Sequence, residues 1–213
     1  YAIDQIVEDI VSKYQVGLTL PVFILLDNDK EIMPVYGYRN NRTKSVIDKV
    51  HNIISFEELY NITGSQFQEF NTIYQLYWDK LNGRLEKANN FLYIPEYLMY
   101  KLTGVMKHES TIASTSNLLD KDTLEYSKYI INKLGLKEDL FNKLSKPGEI
   151  VGYFKKDIIE EVGGNILVKL CATHDTGSAV EGIVMDGKSI YLSSGTWSLL
   201  GVKVNNVITS KKA

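Results

Sequence analysis

Ile3, Ile6, Val7, Ile10 and Val11 recur at helical spacing, which predicts an amphipathic helix over residues 2–14. The pattern then changes. VFILLDNDKEIMPVY reads as two short strands about the turn Asp27-Asn28-Asp29. Ser55-Phe56-Glu57-Glu58 is a capping-box pattern that opens a short helix, closed near Gly64. Asn71 is placed to cap a helix carrying Ile73, Leu76, Tyr77 and Leu81, ended by Gly83. Pro95 suits the first turn of a helix that runs through Leu102 and stops at Gly104. Asp122 and Glu125 open the next, which ends at Leu134-Gly135.

Beyond residue 146 strands return. KPGEIVGYF carries turn signals and a strand, and KKDIIEEVGG a short helix. ILVKLC reads as a buried strand, with HDTGSAVEG starting a helix after it. KSIYLSSGTWSLLGVKV predicts two strands joined through Ser194-Gly195-Thr196. Strands interleaved with helices give an α/β class with a helix-rich insertion in the middle. The expected boundary lies near Asp186-Gly187, so residues 1–186 form one unit and 187–213 begin a second.

Composition narrows the function. In 213 residues, 24 basic and 26 acidic side chains give a formal net charge of -2, with no long Lys/Arg stripe. That argues against nucleic acid as a partner, since phosphate binding needs clustered cations. A hydrophobic share of 44% supports a buried core. The single cysteine, Cys171, excludes an intrachain disulfide and fits a reducing cytoplasm. No apolar run approaches the ~20 residues that span a bilayer, so no membrane is expected as a partner. No signal peptide is visible, and a chain that opens on Tyr1 reads as trimmed or partial.

Three stretches could carry chemistry. In His174-Asp175-Thr176 an Asp stands between a strand and a helix, where ligands gather in α/β sheets. A carboxylate there can accept a proton from a sugar hydroxyl as its oxygen attacks phosphorus. Asp is also a preferred helix cap and needs no substrate for that. Both readings stay open, and one Asp can do both. Ser193-Ser194-Gly195-Thr196 offers backbone N–H groups and hydroxyls in a tight turn, a phosphate nest or an ordinary hairpin. Arg39 and Arg42, three apart, face an anion or form a solvated surface pair. His51, His108 and His174 are scattered without metal-ligand spacing. The aromatics Tyr74, Tyr77, Trp78, Tyr93, Tyr97 and Tyr100 read as core.

Taken together, YRNNRT (38–43), LYNITGSQF (59–67), NTIYQL (71–76), IPEYLMYKLTG (94–104), ESTIASTSNLL (109–119), PGEIVG (147–152), THDTGSAV (173–180) and YLSSGTWSLLG (191–201) resemble the FGGY family of carbohydrate kinases in order and spacing. The likeness runs from about Phe23 almost to the end. It implies a ribonuclease-H-like, actin-type ATPase fold of two domains, here incomplete. The implied reaction moves the γ-phosphoryl group of ATP to the 1-hydroxyl of the ketose L-rhamnulose, with Mg²⁺ accompanying the nucleotide. Asp175 matches the family's catalytic base. His174, Asp175 and Thr176 match its ketose-contacting tripeptide, and Thr196 its ATP-contacting threonine.

Departures qualify what the resemblance implies. The family's phosphate-holding D-x-G-x-x-S turn is not in this sequence, nor is most of the second domain. VGLTLPVF (16–23) stands where the family has a segment like IDTWGVDF, which predicts a disturbed reading frame or decayed copy. An intact, unshifted frame in the encoding DNA would contradict that. Asn40 replaces the family's Asp in YRD-x-RT, which weakens a polar contact near the sugar. Little activity is therefore expected of this piece alone. A kinase for another ketose, such as L-fuculose or xylulose, and a non-catalytic sugar-binding remnant are the alternatives. A truncated sheet also predicts self-association through an exposed edge or patch.

Overall fold

The computed structural model describes residues 22–185, 189–195 and 198–210. The expected helix over 2–14, the VGLTLP departure, the boundary pair Asp186-Gly187 and Thr196 lie outside the described residues.

Strand β1 (Phe23–Asp27) pairs antiparallel with β2 (Lys30–Glu31) and, on its other side, with β3 (Asn90–Tyr93), in register Phe23↔Tyr93 to Leu26↔Asn90. The predicted turn is made by Asn28, whose φ of 53° suits an Asn. Side chains alternate across this sheet, as strand geometry requires. Phe23, Leu25, Phe91 and Tyr93 join the main core, whereas Val22, Ile24, Leu26 and Leu92 join a second core with Tyr97. Both faces are thus buried, and each such side chain contributes roughly 1.5–3 kcal/mol through its removal from water.

Helices cover these faces. They are α1 (Ile47–His51), α2 (Phe56–Thr63), α3 (Thr72–Leu81) and α4 (Ile94–Thr103). Ser55 caps α2 by accepting from Glu58 N–H at 3.2 Å, and Gly64 ends it at φ 63°. Tyr74 and Tyr93 are fully buried and Tyr77 and Tyr97 nearly so, as expected of core, whereas Trp78 and Tyr100 are partly buried and pack against its edges. Asn71 holds the capping position of α3, as expected, but its side chain makes no cap bond. Its amide instead cross-links loops, accepting from Gln68 N–H and Asn117 and donating to Thr115 O.

The next helix also begins later than its acidic residues suggested. Asp120 accepts from the N–H groups of Asp122 and Thr123, and Leu124 turns to φ 57°. That side-chain turn competes with helix, so Asp122 and Glu125 do not open it. Preceding it are β4 (His108–Glu109) and α5 (Ser110–Ala113); Ser127 then caps α6 (Lys128–Leu134). β4 pairs in parallel with β5 (Leu144–Ser145).

β6 (Ile150–Tyr153), α7 (Lys156–Val162) and β7 (Leu167–Lys169) follow, with β6 and β7 antiparallel. The run ILVKLC is not buried as expected. β7 sits in a two-stranded ribbon, so Ile166 and Leu167 stay exposed and Leu170 alone is buried among its large apolar residues. Helix α8 (Asp175–Glu181) and the hairpin of β8 (Ile190–Ser194) and β9 (Ser198–Val202) complete the described chain. No helix among the described residues is long and apolar enough to cross a membrane.

Candidate functional site

Asp175 is the first residue of α8, with His174 at the capping position. Its Oδ1 accepts from Thr176 N–H at 2.6 Å and from Thr176 Oγ1 at 3.2 Å. A helix-capping carboxylate takes an N–H two or three residues on; Asp175 takes that of its immediate neighbour. Among the described residues its Oδ2 has no hydrogen-bond partner, and the side chain is exposed. The cap reading therefore loses its geometric basis, while an accessible acceptor oxygen remains.

His174 folds over the start of the helix. A Cβ on Gly177 would stand 3.2 Å from His174 Nδ1, so the glycine leaves room for the ring. Burial lowers the His174 pKa below its ordinary 6.5, against the opposing charges of Asp175 and Glu109. The ring is then neutral near pH 7 and offers one donor and one acceptor. Ser178 Oγ ties the turn to the carbonyls of Ala172 and His174 at 3.0 and 2.9 Å.

The segment before Asp175 is held from far away. Thr173 N–H and Oγ1 donate to Glu109 Oε2 at 3.2 and 2.7 Å. Thr111 Oγ1 accepts from the N–H groups of Thr173 and His174 at 3.0 and 3.1 Å. Glu109 also accepts from Thr111 N–H at 2.7 Å and from Ile112 N–H at 3.1 Å. Its own N–H donates to Glu96 Oε1 at 2.6 Å. Burial raises the Glu109 carboxyl, but the bonds from Thr111 and Thr173 outweigh it and hold the group below the ordinary carboxylate value. Glu96 has fewer donors and is pushed up to about 8 by burial first. His108 Nδ1 lies 4.0 Å from Glu96 Oε2, yet burial pushes His108 down to about 4. Desolvation thus keeps both neutral near pH 7, so the contact is not an ion pair.

Sequence reasoning named Asp175, His174 and Thr176 as candidates and did not name Glu109, Thr111 or Glu96. The only signal was Glu109 at a strand-to-helix junction; its partner Thr173 is 64 positions on. The two arginines do not face one anion. Arg39 bonds Tyr38 at the surface, whereas Arg42 turns inward to Gln75 Oε1 at 2.6 Å and over the Tyr36 ring. Asn40 caps the 3-10 turn Asn41–Ser45 through Arg42 N–H at 2.9 Å, a role Asn fills as well as Asp. A cavity of about 520 Å³ includes Lys107, His108, Asn142 and Lys143 in its lining, none of them from the Asp175 segment. Ser194 and Ser198 pair across the hairpin, and Thr196, between them, lies outside the described residues. No three His, Cys, Asp or Glu among the described residues stand together so as to hold a metal ion.

The model of the FGGY family of carbohydrate kinases, N-terminal domain, matches residues 11–182. Rhamnulokinase of Halalkalibacterium halodurans is 44% identical over 194 residues, covering 90% of this chain and 42% of that protein. Rhamnulokinase of Oceanobacillus iheyensis is 42% identical, covering 90% of this chain and 41% of that protein. The chain thus spans well under half the length of these curated relatives. Among solved structures, ligand-bound xylulose kinase from Lactobacillus acidophilus superposes with a TM-score of 0.71 at 22% identity, over 84% of this chain and 38% of that one. A carbohydrate kinase from Novosphingobium aromaticivorans gives 0.67 at 21%, over 92% and 45%. The fold is therefore the actin-type, ribonuclease-H-like fold of the sugar kinases, in part, with the helix-rich middle expected from the sequence.

Proposed function

We propose, for a chain that belongs to the FGGY family of carbohydrate kinases, that Asp175 is the base of an ATP-dependent ketose kinase acting on L-rhamnulose. The observation that supports this reading is the Asp175 carboxylate itself. One oxygen is fixed by Thr176, the other is open, and the preceding backbone is bonded to buried Glu109. In the proposed step the ketose 1-hydroxyl oxygen bonds to the γ-phosphorus, the bond to the bridging oxygen breaks, and ADP leaves. The hydroxyl proton passes to Asp175. His174 and Thr176 would hold ketose hydroxyls, and Thr196 would contact ATP. Magnesium would arrive with the nucleotide and neutralise phosphate charge.

Residues 1–186 would be the later part of the first domain and 187–213 the start of the second, in keeping with a family match that ends at 182. A cytoplasmic setting fits a small phosphorylated metabolite. The exposed Ile190, Leu192, Leu200 and Val202 favour self-association of this chain; light scattering that finds only monomer at high concentration would contradict it.

Calorimetry with L-rhamnulose, L-fuculose and D-xylulose tests the substrate. The reading expects L-rhamnulose to bind tightest, and equal or absent binding of all three overturns it. In a coupled ADP-release assay with ATP and magnesium the 213-residue chain is expected to turn over little, because the family's D-x-G-x-x-S turn is not in it. Turnover abolished by Asp175→Asn would overturn that expectation while supporting the base. Ketose binding without nucleotide binding would favour a non-catalytic remnant.

A further inference from the structure

Among the described residues nothing apolar pins Asp175 in place. Helix α8 has no buried residue, and Asp175 itself is exposed. A carboxylate that must meet one hydroxyl needs a fixed backbone, and the firm ties on that backbone come from Glu109 and Thr111.

We propose that Glu109, assisted by Thr111, is the positioning residue of this site: its buried carboxylate clamps Thr173 and so sets where His174 and Asp175 stand. The inference rests on the reading of Asp175 as the base. Capping α5 does explain the bonds from Thr111 and Ile112 N–H. It does not explain the two from Thr173, and Ser, Thr, Asp or Asn would cap as well. The longer Glu side chain reaches both the helix start and the Thr173 hydroxyl at 2.7 Å. Charge matters too. Oε2 faces four donors: Thr111 Oγ1 at 2.5 Å, Ile112 N–H, Thr173 N–H and Thr173 Oγ1. A Gln would turn an NH₂ toward donors at one of the two oxygens. Behind the clamp, Glu96 takes the N–H groups of both Glu109 and Tyr93, joining it to the end of β3.

The test compares Thr173→Val, which deletes the hydroxyl and keeps the N–H, with Thr173→Ser, which keeps both. Glu109→Gln is the stronger variant, and the Thr173 pair remains decisive if it fails to fold. Amide hydrogen exchange over residues 174–181 is expected to quicken about tenfold in Thr173→Val, because one bond to a charged acceptor is lost. Exchange in α6 should not change, and Thr173→Ser should restore protection. A loss of stability alone would instead quicken both regions. Unchanged exchange in Thr173→Val, or an equal rise in α6, overturns the clamp. Titration with L-rhamnulose separates the two claims. A wild-type chain that binds no ketose refutes the site reading, and the exchange result still decides the clamp. If the wild type binds and His174→Ala weakens binding about tenfold, Thr173→Val must weaken it too; unchanged affinity there overturns the positioning role.

Discussion

Leu92 and Leu200 are the same residue type on two β-strands, with opposite fates. Leu92, in β3, is fully buried between the sheet and Tyr97, whereas Leu200, in β9, is 70% exposed. The contrast extends to their regions. Residues 22–154 bury apolar side chains on both faces of a three-stranded sheet. Residues 183–208 expose Ile190, Leu192, Leu200 and Val202 on a hairpin that, among the described residues, pairs only with itself, and Val207 beyond it. Asp175 stands at the junction. The difference teaches that the two sides of the site are secured differently: upstream by buried polar bonds to a packed body, downstream by surface ties such as Lys203 to the carbonyls of Glu181 and Ile183. Local opening should accordingly be easier after residue 182 than before 173.

The largest test of this contrast is a pair of truncations. Leu92→Ala should cost about 2–5 kcal/mol in urea unfolding, through lost burial and a residual cavity. Leu200→Ala should stay within about 0.5 kcal/mol, as exposed positions do. Equal losses would erase the distinction between the regions.

A second test probes the buried carboxyl beneath the clamp. The Glu96 value is raised from 4.5 to about 8 in the folded chain. Its contribution to stability is therefore full below 4.5 and is lost as pH rises through 8, by at most about 1.4 kcal/mol per pH unit. His108 and His174, both held low by burial, add a rise in stability with pH that is largely complete by 6.5, so melting measured between pH 6.5 and pH 8 should show the wild type falling and Glu96→Gln nearly flat. A wild-type curve that rises across this range would refute the assignment. Glu109, held low, works in the opposite sense: its contribution is present above 4.5 and lost as pH falls below that value.

The smallest effect is local. In Gly177→Ala the new methyl meets His174 Nδ1 at 3.2 Å, so the ring must shift by a few tenths of an ångström. Ketose affinity should fall roughly threefold, equivalent to under 1 kcal/mol, with melting unchanged. An unaltered affinity would show that the ring position is immaterial.

The parts legible in the sequence were those governed by neighbours along the chain. The apolar run ahead of the Asp27-Asn28-Asp29 turn placed β1, Pro95 and Gly104 bounded α4, and Gly64 closed α2. Local signals failed where side chains answered distant or competing partners. Asp120 diverted Asp122 and Thr123 into a turn, and Asn71 spent its amide on Thr115 and Asn117. The strand ILVKLC was found, but its burial was misjudged, because exposure depends on which strands lie beside it. The site divided the same way. His174-Asp175-Thr176 forms a contiguous motif, while Glu109 and Thr111 meet Thr173 only after folding.

Asp175 is most directly tested by calorimetric titration of L-rhamnulose into the wild type and Asp175→Asn, with melting recorded for both. Removing the charged acceptor and leaving its shape should weaken binding about tenfold, the value of one bond to a charged group, with the melting temperature unchanged because the side chain is exposed. Equal affinity in the two proteins would contradict the assignment of Asp175 to the ketose site.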